Sequence, residues 1–232
     1  MSLYKIADVI VEMSPRFVET SKWYEPYIYE GDLQADFSIV APDEAIEYLV
    51  TNGVNVTQAI AENMILCNRF NGRLLKYFGG FIHSSALKFE NKVYLFSGKS
   101  GIGKSTHTKK WCRLFPGKAR VINDDKPSFR MIDGKCYIYG TPFAGGTDIQ
   151  LNEKGELGGI IFLERSEVNR IERMSSAEAI RNLIDQSPKK TLENSVNRLL
   201  DIYSDIITNY PVYKLYCANN DNSVDVAFEI IK

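Results

Sequence analysis

Cysteine and histidine are scarce in this sequence, and their positions do not suggest a metal centre or a disulfide framework. Of 232 residues, four are cysteine and two are histidine. The cysteines, at 67, 112, 136 and 217, lie far apart and form no C-x-x-C pair. Structural zinc sites and disulfide-stabilised folds need closely patterned cysteine or histidine residues. We therefore expect reduced thiols that pack as small apolar side chains.

Long apolar runs and an excess of charge of one sign are also absent. The first residues contain no apolar run of signal-peptide length, and no stretch approaches the length needed to cross a bilayer. The net charge is −1, with 44% hydrophobic and 25% charged residues. This composition is ordinary for a globular protein and does not suggest a nucleic-acid surface or a polybasic membrane patch. A cytoplasmic protein with no nucleic-acid or membrane partner is the expectation.

The most informative stretch is residues 93–106, which read VYLFSGKSGIGKST. Gly98, Gly103, Lys104 and Ser105 match the phosphate-loop (Walker A) pattern G-x-x-x-x-G-K-[ST]. The flanking residues predict a strand before the loop and a helix after it. A glycine-rich loop that contains a lysine by chance is the alternative, and the flanking elements disfavour it.

Each part of this loop has a chemical purpose in binding a phosphate chain. The glycines permit backbone conformations that let N–H groups face inward, and the helix dipole points its positive end at the same phosphates. Lys104 would contact the outer phosphates, and Ser105 would place its hydroxyl on Mg²⁺. The predicted nucleotide-binding residues are Gly98, Lys99, Ser100, Gly101, Ile102, Gly103, Lys104, Ser105 and Thr106.

The hydrophobic pattern of the rest of the chain predicts an α/β protein in one continuous structural unit. Residues 1–80 are expected to form a β-rich lead-in plus helices packed on the core, and residues 81–232 the core itself. The lead-in should hold a tyrosine-rich sheet (4–13, 23–40) and helices at 42–52 and 57–78. The predicted strands of the core are 81–89, 93–96, 119–125, 128–132, 135–139, 158–163 and 212–217, its predicted helices are 106–114, 176–185, 191–208 and 224–231, and 141–146 is a predicted loop.

Two adjacent acids, Asp124 and Asp125, end a predicted strand about twenty residues beyond the loop. Ligands of open α/β sheets sit outside the carboxyl ends of strands. One acid there can bind Mg²⁺ while the other accepts a proton from an attacking hydroxyl. The alternative is a solvated Asn-Asp-Asp turn, since these residues favour turns.

Three further positions are candidates for the same site. His83, on the strand before the loop, can assist the acids or contact the γ-phosphate. A histidine satisfied within its strand is the alternative. Arg165, at the end of a predicted strand, is a candidate phosphate clamp, or else part of a surface salt bridge. Residues 141–143 line a pocket or form a structural turn, and His107 is expected to be exposed.

In this order, residues 83–86 (HSSA), the loop at 98–105 and Asp124-Asp125 resemble the catalytic domain of HPr kinase/phosphorylase, and more distantly ATP-dependent phosphoenolpyruvate carboxykinase. The resemblance spans residues 81–165, and the family's loop, G-x-S-G-x-G-K-S, is matched throughout. It implies a P-loop fold with mixed β-sheets and flanking helices, ATP and Mg²⁺ as cofactors, and phosphoryl transfer to a hydroxyl, typically serine. A homo-oligomer is also compatible with it.

The resemblance also implies roles for the residues of the site. Lys104 and the loop amides would stabilise the transferring group. The acid pair would supply the metal contact and the general base, with Asp124 favoured as base, helped by His83, and Asp125 with Ser105 on the metal. The order within the pair stays open.

The sequence departs from the family at two places, and both bear on the acceptor. No R-G-x-G element follows the sheet, where residues 163–166 read LERS, and no separate N-terminal domain is recognisable. The chain therefore resembles shorter relatives that phosphorylate peptides or small molecules. The rival hypotheses are a nucleotide-sensing module without turnover and a carboxykinase-like enzyme acting on a small acid.

Overall fold

The computed structural model describes residues 1–144, 149–218, 220 and 222–231, and for residues 189–195 it describes the backbone alone. The strands are β1 (Ser2–Ile6), β2 (Val9–Met13), β3 (Phe37–Ser38), β4 (Gly79–Phe81), β5 (Ser84–Phe89), β6 (Lys92–Ser97), β7 (Ala119–Asp125), β8 (Ser128–Ile132), β9 (Lys135–Tyr139), β10 (Lys154–Arg165), β11 (Arg170–Arg173) and β12 (Val212–Cys217). The helices are α1 (Val18–Tyr24), α2 (Asp43–Asn52), α3 (Gln58–Leu74), α4 (Lys104–Leu114), α5 (Ser176–Asp185), α6 (Lys189–Asn209) and α7 (Asn222–Ile231), with short 3₁₀ turns at Glu25–Tyr27 and Leu75–Tyr77. None of these helices is both long enough and apolar enough to cross a lipid bilayer.

A large mixed sheet forms the centre of the molecule. Its strands follow the order β4-β8-β9-β10-β6-β5-β7, and β12, flanked by β11, also pairs with β10. Strands β6 and β12 run parallel to β10, while β5 runs antiparallel to both β6 and β7. Strands β7, β6, β10 and β12 therefore point in one direction, and their carboxyl ends meet at one edge of the sheet.

Helices cover both faces of this sheet, as the predicted α/β class requires. Successive side chains of a strand point to opposite faces. Phe96 packs on one face in a cluster with Trp111 of α4 and Val224 of α7. Leu95 packs on the other face with Leu183 of α5 and helix α6. The edge that collects the strand ends thus lies between a face bearing α4 and α7 and a face bearing α5 and α6.

The lead-in contains less strand than expected. The predicted β-run at 23–40 is wrong over most of its length, because residues 18–27 are helical, β3 is the only strand there, and Ile28 makes a single antiparallel bridge to Tyr4. Tyr24 and Tyr27 are spaced for one helical face, and both are fully buried. Burial of these rings outweighs the usual β-preference of tyrosine. A three-stranded sheet, β1-β2-β3, does form, and it packs against the hairpin β8–β9 through Tyr139.

The predicted strand at 81–89 is two strands, and His83 lies in the break between them. Strand β4 pairs with β8, whereas β5 pairs with β6 and β7. The backbone N–H of His83 donates to the carbonyl of Gln186 instead of to a neighbouring strand. A pattern of alternating side chains does not reveal such a change of partner, since both halves remain extended.

The other predicted elements are present with small changes of boundary. Helix α3 continues without interruption through Asn71, whose side chain donates to the carbonyl of Cys67. Strand β10 is longer than predicted, and β11 was not predicted. The last two residues of the predicted loop 141–146 lie outside the described residues. All four cysteines are free, and two of them are buried.

Candidate functional site

The predicted phosphate loop lies between β6 and α4 and has the backbone that its glycines allow. Gly98, Gly101 and Gly103 have φ values of 137°, 74° and 109°, a region that side chains disfavour. A Cβ on Gly98 would lie 3.1 Å from the carbonyl oxygen of Leu163. The loop therefore depends on glycine at its first position both for conformation and for its close approach to β10.

The loop leads directly into the N-terminus of α4. Gly103 is the N-cap and no side chain caps the helix. The N–H groups of a first helical turn have no partner within the helix, and they carry the positive end of its dipole. The N–H of Ile102 donates to the carbonyl of Lys99 at 3.2 Å and closes the turn. This arrangement suits a bound anion.

Lys104 folds back across the loop. Its Nζ donates to the carbonyl of Gly98 at 3.0 Å and to that of Lys99 at 3.4 Å. Burial lowers the pKa of Lys104 below its ordinary value, although the negative charges of Asp125 and Asp124 act in the opposite direction. The ammonium group is therefore within electrostatic reach of both predicted acids.

The acid pair ends β7 at the same edge of the sheet as the loop. Strand β5 lies between β6 and β7, so the two strand ends are about 10 Å apart at the usual strand spacing. Ser84 pairs with Asp125, and Ser85 pairs with Asp124. The structure thus brings the predicted phosphate loop, Lys104 and both acids to the same edge of the sheet.

Asp124 is buried with an oxygen that has no partner. Its side chain is on the face of α4, because directly opposed residues share a face and the hydroxyl of the opposed Ser85 lies 2.9 Å from that of Thr108 in α4. Asp124 is 7% exposed, and its Oδ2 has no hydrogen-bond partner among the described residues. A buried, unpaired carboxylate oxygen is costly. Its position toward α4, whose first turn carries Ser105, therefore fits a divalent cation.

This donor set suits Mg²⁺ rather than a metal held by protein alone. Among the described residues, no group of three or more His, Cys, Asp or Glu could hold a metal ion. Mg²⁺ usually keeps several waters and binds through one or two carboxylates together with substrate phosphates. A single carboxylate beside a phosphate loop matches this coordination preference.

Asp125 is fully engaged by protein groups. Its Oδ1 lies 2.8 Å from Nε2 of His83, and its other oxygen contacts the ammonium of Lys126. Burial alone raises the pKa of Asp125, but the hydrogen bond from His83 and the charge of Lys126 outweigh it and hold the pKa below its ordinary value. Asn123 accepts from the N–H groups of Asp125 and Lys126. The acids therefore lie at an ordered strand end and not in a solvated turn.

Asp125→Asn should reduce stability only where the carboxylate is charged. The pKa is lower in the folded than in the unfolded state, so the stabilisation is present above the unfolded-state value, about 3.9, and is lost as the pH falls through the folded-state value. We expect a loss of about 1.5–3 kcal/mol in unfolding free energy at neutral pH, typical of a charged hydrogen bond. Urea denaturation at several pH values measures it, with Asp133→Asn in the exposed β8–β9 turn as control. An equal loss of unfolding free energy at all pH values would contradict a stabilising role for the charged carboxylate.

Arg165 braces the loop. Its guanidinium donates to the carbonyl of Gly101 at 2.8 Å, and none of the ion pairs among the described residues includes it. The predicted surface salt bridge is thus not seen in this part of the chain. A cavity of about 480 Å³ lies beside Arg165 on the face of α4 and α7 and reaches Thr106. A second, of about 750 Å³, lies on the face of α5 and reaches Gln186.

His107 is buried, and the expectation that it would be exposed is wrong. It is 4% exposed and packs against the ring of Phe96. Its Nε2 accepts from the indole N–H of Trp111 at 3.1 Å, and its Nδ1 lies 3.4 Å from the hydroxyl of Ser223. The sequence did contain a signal for this burial: His107 lies four residues before Trp111, and that spacing places both side chains on the sheet-facing side of α4.

Burial of His107 should make stability depend on pH. Burial, aided by the charge of Lys110, lowers the pKa of His107 from 6.5 to about 4. The unfolded chain therefore binds a proton that the folded chain refuses, and stability should fall as the pH is lowered from 6.5 toward 4, by up to about 1.4 kcal/mol per pH unit. Denaturant titrations of wild type and His107→Gln should show a steeper fall of stability in wild type. Identical slopes in the two proteins would refute it.

Other predicted positions serve the core, and several participants were missed. Thr141 is fully buried and accepts a hydrogen bond from Asn123, and Phe143 packs on Tyr24, so this segment is structural. Thr108, one turn after Lys104, could have been found from its helical spacing. The contact between Gln186 and the site had no sequence signal.

Comparisons with known proteins add little to this geometry. No family model and no curated protein matches the chain. Among solved structures, the Hpr(Ser) kinase/phosphatase from Coxiella burnetii is similar to this chain, with 13% sequence identity and a TM-score of 0.38. The match covers 65% of this chain and 93% of the Coxiella chain. This likeness is distant, concerns the fold alone, and at such a score supports no conclusion about activity.

Proposed function

We propose that this protein is a Mg²⁺-ATP-dependent kinase that transfers the γ-phosphoryl group to a hydroxyl, such as a serine of a peptide or protein or a small molecule. The observation that carries the proposal is the convergence at one sheet edge of a phosphate loop and an acid pair. Within that pair, Asp124 has a buried, unpaired carboxylate oxygen on the face of α4. Phosphoryl transfer requires mainly positioning and charge stabilisation, and these residues can supply both.

The loop would hold the phosphates of the nucleotide. Backbone N–H groups at the start of α4 and the ammonium of Lys104 would neutralise the charge on the transferring group. Ser105 and Asp124 would hold Mg²⁺, which when bound neutralises charge on the phosphate oxygens. The nucleoside would occupy the cavity beside Thr106, and the acceptor would approach from the side of His83, whose side chain is 32% exposed.

The hydrogen bonds favour Asp124 as the metal ligand and His83, oriented by Asp125, as the base, which differs from the roles expected from the sequence. Asp124 has the free oxygen that a cation needs, whereas both oxygens of Asp125 are engaged by His83 and Lys126. When Nε2–H of His83 donates to Asp125, Nδ1 keeps a lone pair that can accept a proton, and the carboxylate stabilises the resulting charge.

In the transfer step, the acceptor oxygen forms a bond to the γ-phosphorus. The bond between that phosphorus and the bridging oxygen of the departing nucleoside diphosphate breaks. The hydroxyl proton passes to Nδ1 of His83. Lys104 stabilises charge on the phosphoryl oxygens while this occurs.

Incubation with γ-labelled ATP tests the proposal. The protein would be given Mg²⁺ and a choice of acceptors: serine-containing peptides, free serine and a cell extract. We expect label on an acceptor hydroxyl, dependent on Mg²⁺ and abolished by a chelator. Tight ATP binding with no label on any acceptor would favour the nucleotide-sensing module instead.

A further inference from the structure

A groove along the outer side of α3 carries three cations with no acidic partner among the described residues. Arg69, Arg73 and Lys76 are spaced by four and three residues, so they share one helical face. All three are exposed, and none forms an ion pair with another described residue. They line a groove of about 440 Å³. In a chain with a net charge of −1, this is a local concentration of positive charge.

The opposite wall of the groove is the end of an outer strand. Ser38, which ends β3, and the two residues after it line this wall, and β3 is the last strand of the order β1-β2-β3. Outer strands present backbone N–H and C=O groups to which an extended chain can pair. Ser38 is exposed, and Val40 is 43% exposed. One wall therefore offers backbone hydrogen bonds and an apolar contact, and the other offers charge.

Gly72 lines this groove between Arg69 and Arg73. It lies in the interior of α3, where glycine is less favourable than alanine by about 1 kcal/mol. A Cβ built on Gly72 meets no atom within 4 Å, so packing does not require glycine there. The missing side chain leaves room on the face between Arg69 and Arg73.

The groove is one helix away from the acid pair. The inner side of α3 contacts the core through Asn71, whose Oδ1 accepts from the hydroxyl of Ser128 at 3.2 Å. Ser128 follows Asp125 by three residues. A helix is about 10 Å across, and an extended chain covers that distance in about three residues.

We propose that this groove docks an extended acidic segment of a polypeptide. This part of the proposal rests on the proposed function: the polypeptide is the phosphoryl acceptor, and the groove holds a segment of it separate from the reacting hydroxyl. Arg69 and Arg73 are about 6 Å apart along the helix, close to the 6.6 Å or so between alternate residues of an extended chain. Single-stranded nucleic acids are held by aromatic stacking together with charge, and none of the described residues that line this groove is aromatic.

Fluorescence anisotropy on the full chain without nucleotide tests the groove. The probe is a fluorescein-labelled twelve-residue peptide in which glutamate alternates with valine and threonine. We expect saturable binding that weakens as salt screens the charges. Arg73→Glu should weaken it at least about tenfold, whereas Arg181→Glu, a reversal at an exposed arginine of α5, should not. Gly72→Trp should obstruct the groove, and Gly72→Ala should bind as wild type does.

Several results would overturn the proposal. These are no saturable binding up to about 1 mM, equal binding of a peptide with lysine in place of glutamate, tighter binding of an oligonucleotide of equal charge, or equal losses in Arg73→Glu and Arg181→Glu. Asp124→Asn separates this proposal from the kinase assignment, since it should bind the peptide normally. Peptide binding without any phosphoryl transfer would refute the kinase assignment and would still support the groove as a docking site.

Discussion

Asp124→Asn is expected to lower phosphoryl transfer by about a thousandfold or more, comparable with the loss of one key electrostatic group in phosphoryl transfer. The change keeps the shape of the side chain and removes the charge that would hold Mg²⁺. The affinity for ATP, measured without Mg²⁺, should be nearly unchanged because the loop amides and Lys104 remain. The concentration of Mg²⁺ needed for half-maximal residual activity should rise.

The same substitution should not destabilise the protein. Asp124 contributes a buried carboxylate oxygen with no partner among the described residues, and an unpaired buried charge opposes folding. Thermal unfolding of Asp124→Asn should therefore occur at or above the wild-type temperature, with Asp133→Asn as the exposed control. Asp125→Asn should instead lose stability at neutral pH, because His83 and Lys126 lose their partner.

The pattern of results distinguishes the roles of the two acids. An unchanged Mg²⁺ requirement in Asp124→Asn, with a changed requirement in Asp125→Asn, would restore the order expected from the sequence. A loss of stability in Asp124→Asn would indicate a structural role for this residue. Unaltered transfer in both variants would refute the site.

Lys104→Met is expected to lower transfer by about a thousandfold or more and also to weaken ATP binding, because the ammonium acts on the ground state and on the transferring group. Lys99→Met is the matched control: Lys99 would bind phosphate through its backbone N–H, so the loss of its exposed side chain should leave most activity in place. Isothermal titration with ATP and a transfer assay measure the two effects separately.

The lowered pKa of Lys104 adds a pH test to this comparison. Burial disfavours the charged form of Lys104. As the pH is raised, the ATP affinity of the wild type should therefore begin to decrease at a lower pH than that at which an ordinary lysine loses its proton. The affinity of Lys104→Met should lack that fall. Equal affinity and activity of Lys104→Met and Lys99→Met would contradict the proposed loop chemistry.

Features that depend on neighbours in sequence were predictable from the chain alone. The spacing of Gly98, Gly103, Lys104 and Ser105 encodes a turn and a helix start, because only glycine tolerates the required backbone angles and a helix N-terminus needs no distant partner. The β8–β9 hairpin at Asp133-Gly134 and helix α5 follow from equally local signals. The acid pair at a strand end followed from the same kind of reasoning.

Features that depend on distant partners were decided by the tertiary structure. The break at His83, the burial of His107 and the helical course of residues 18–27 arise because long-range packing outweighs local propensity. Sequence alone also left the two acids equivalent. They differ in the fold because Asp124 shares the α4 face of the sheet with Ser85, while His83 and Lys126 converge on Asp125. A chain's order does not specify which side chains meet across a sheet.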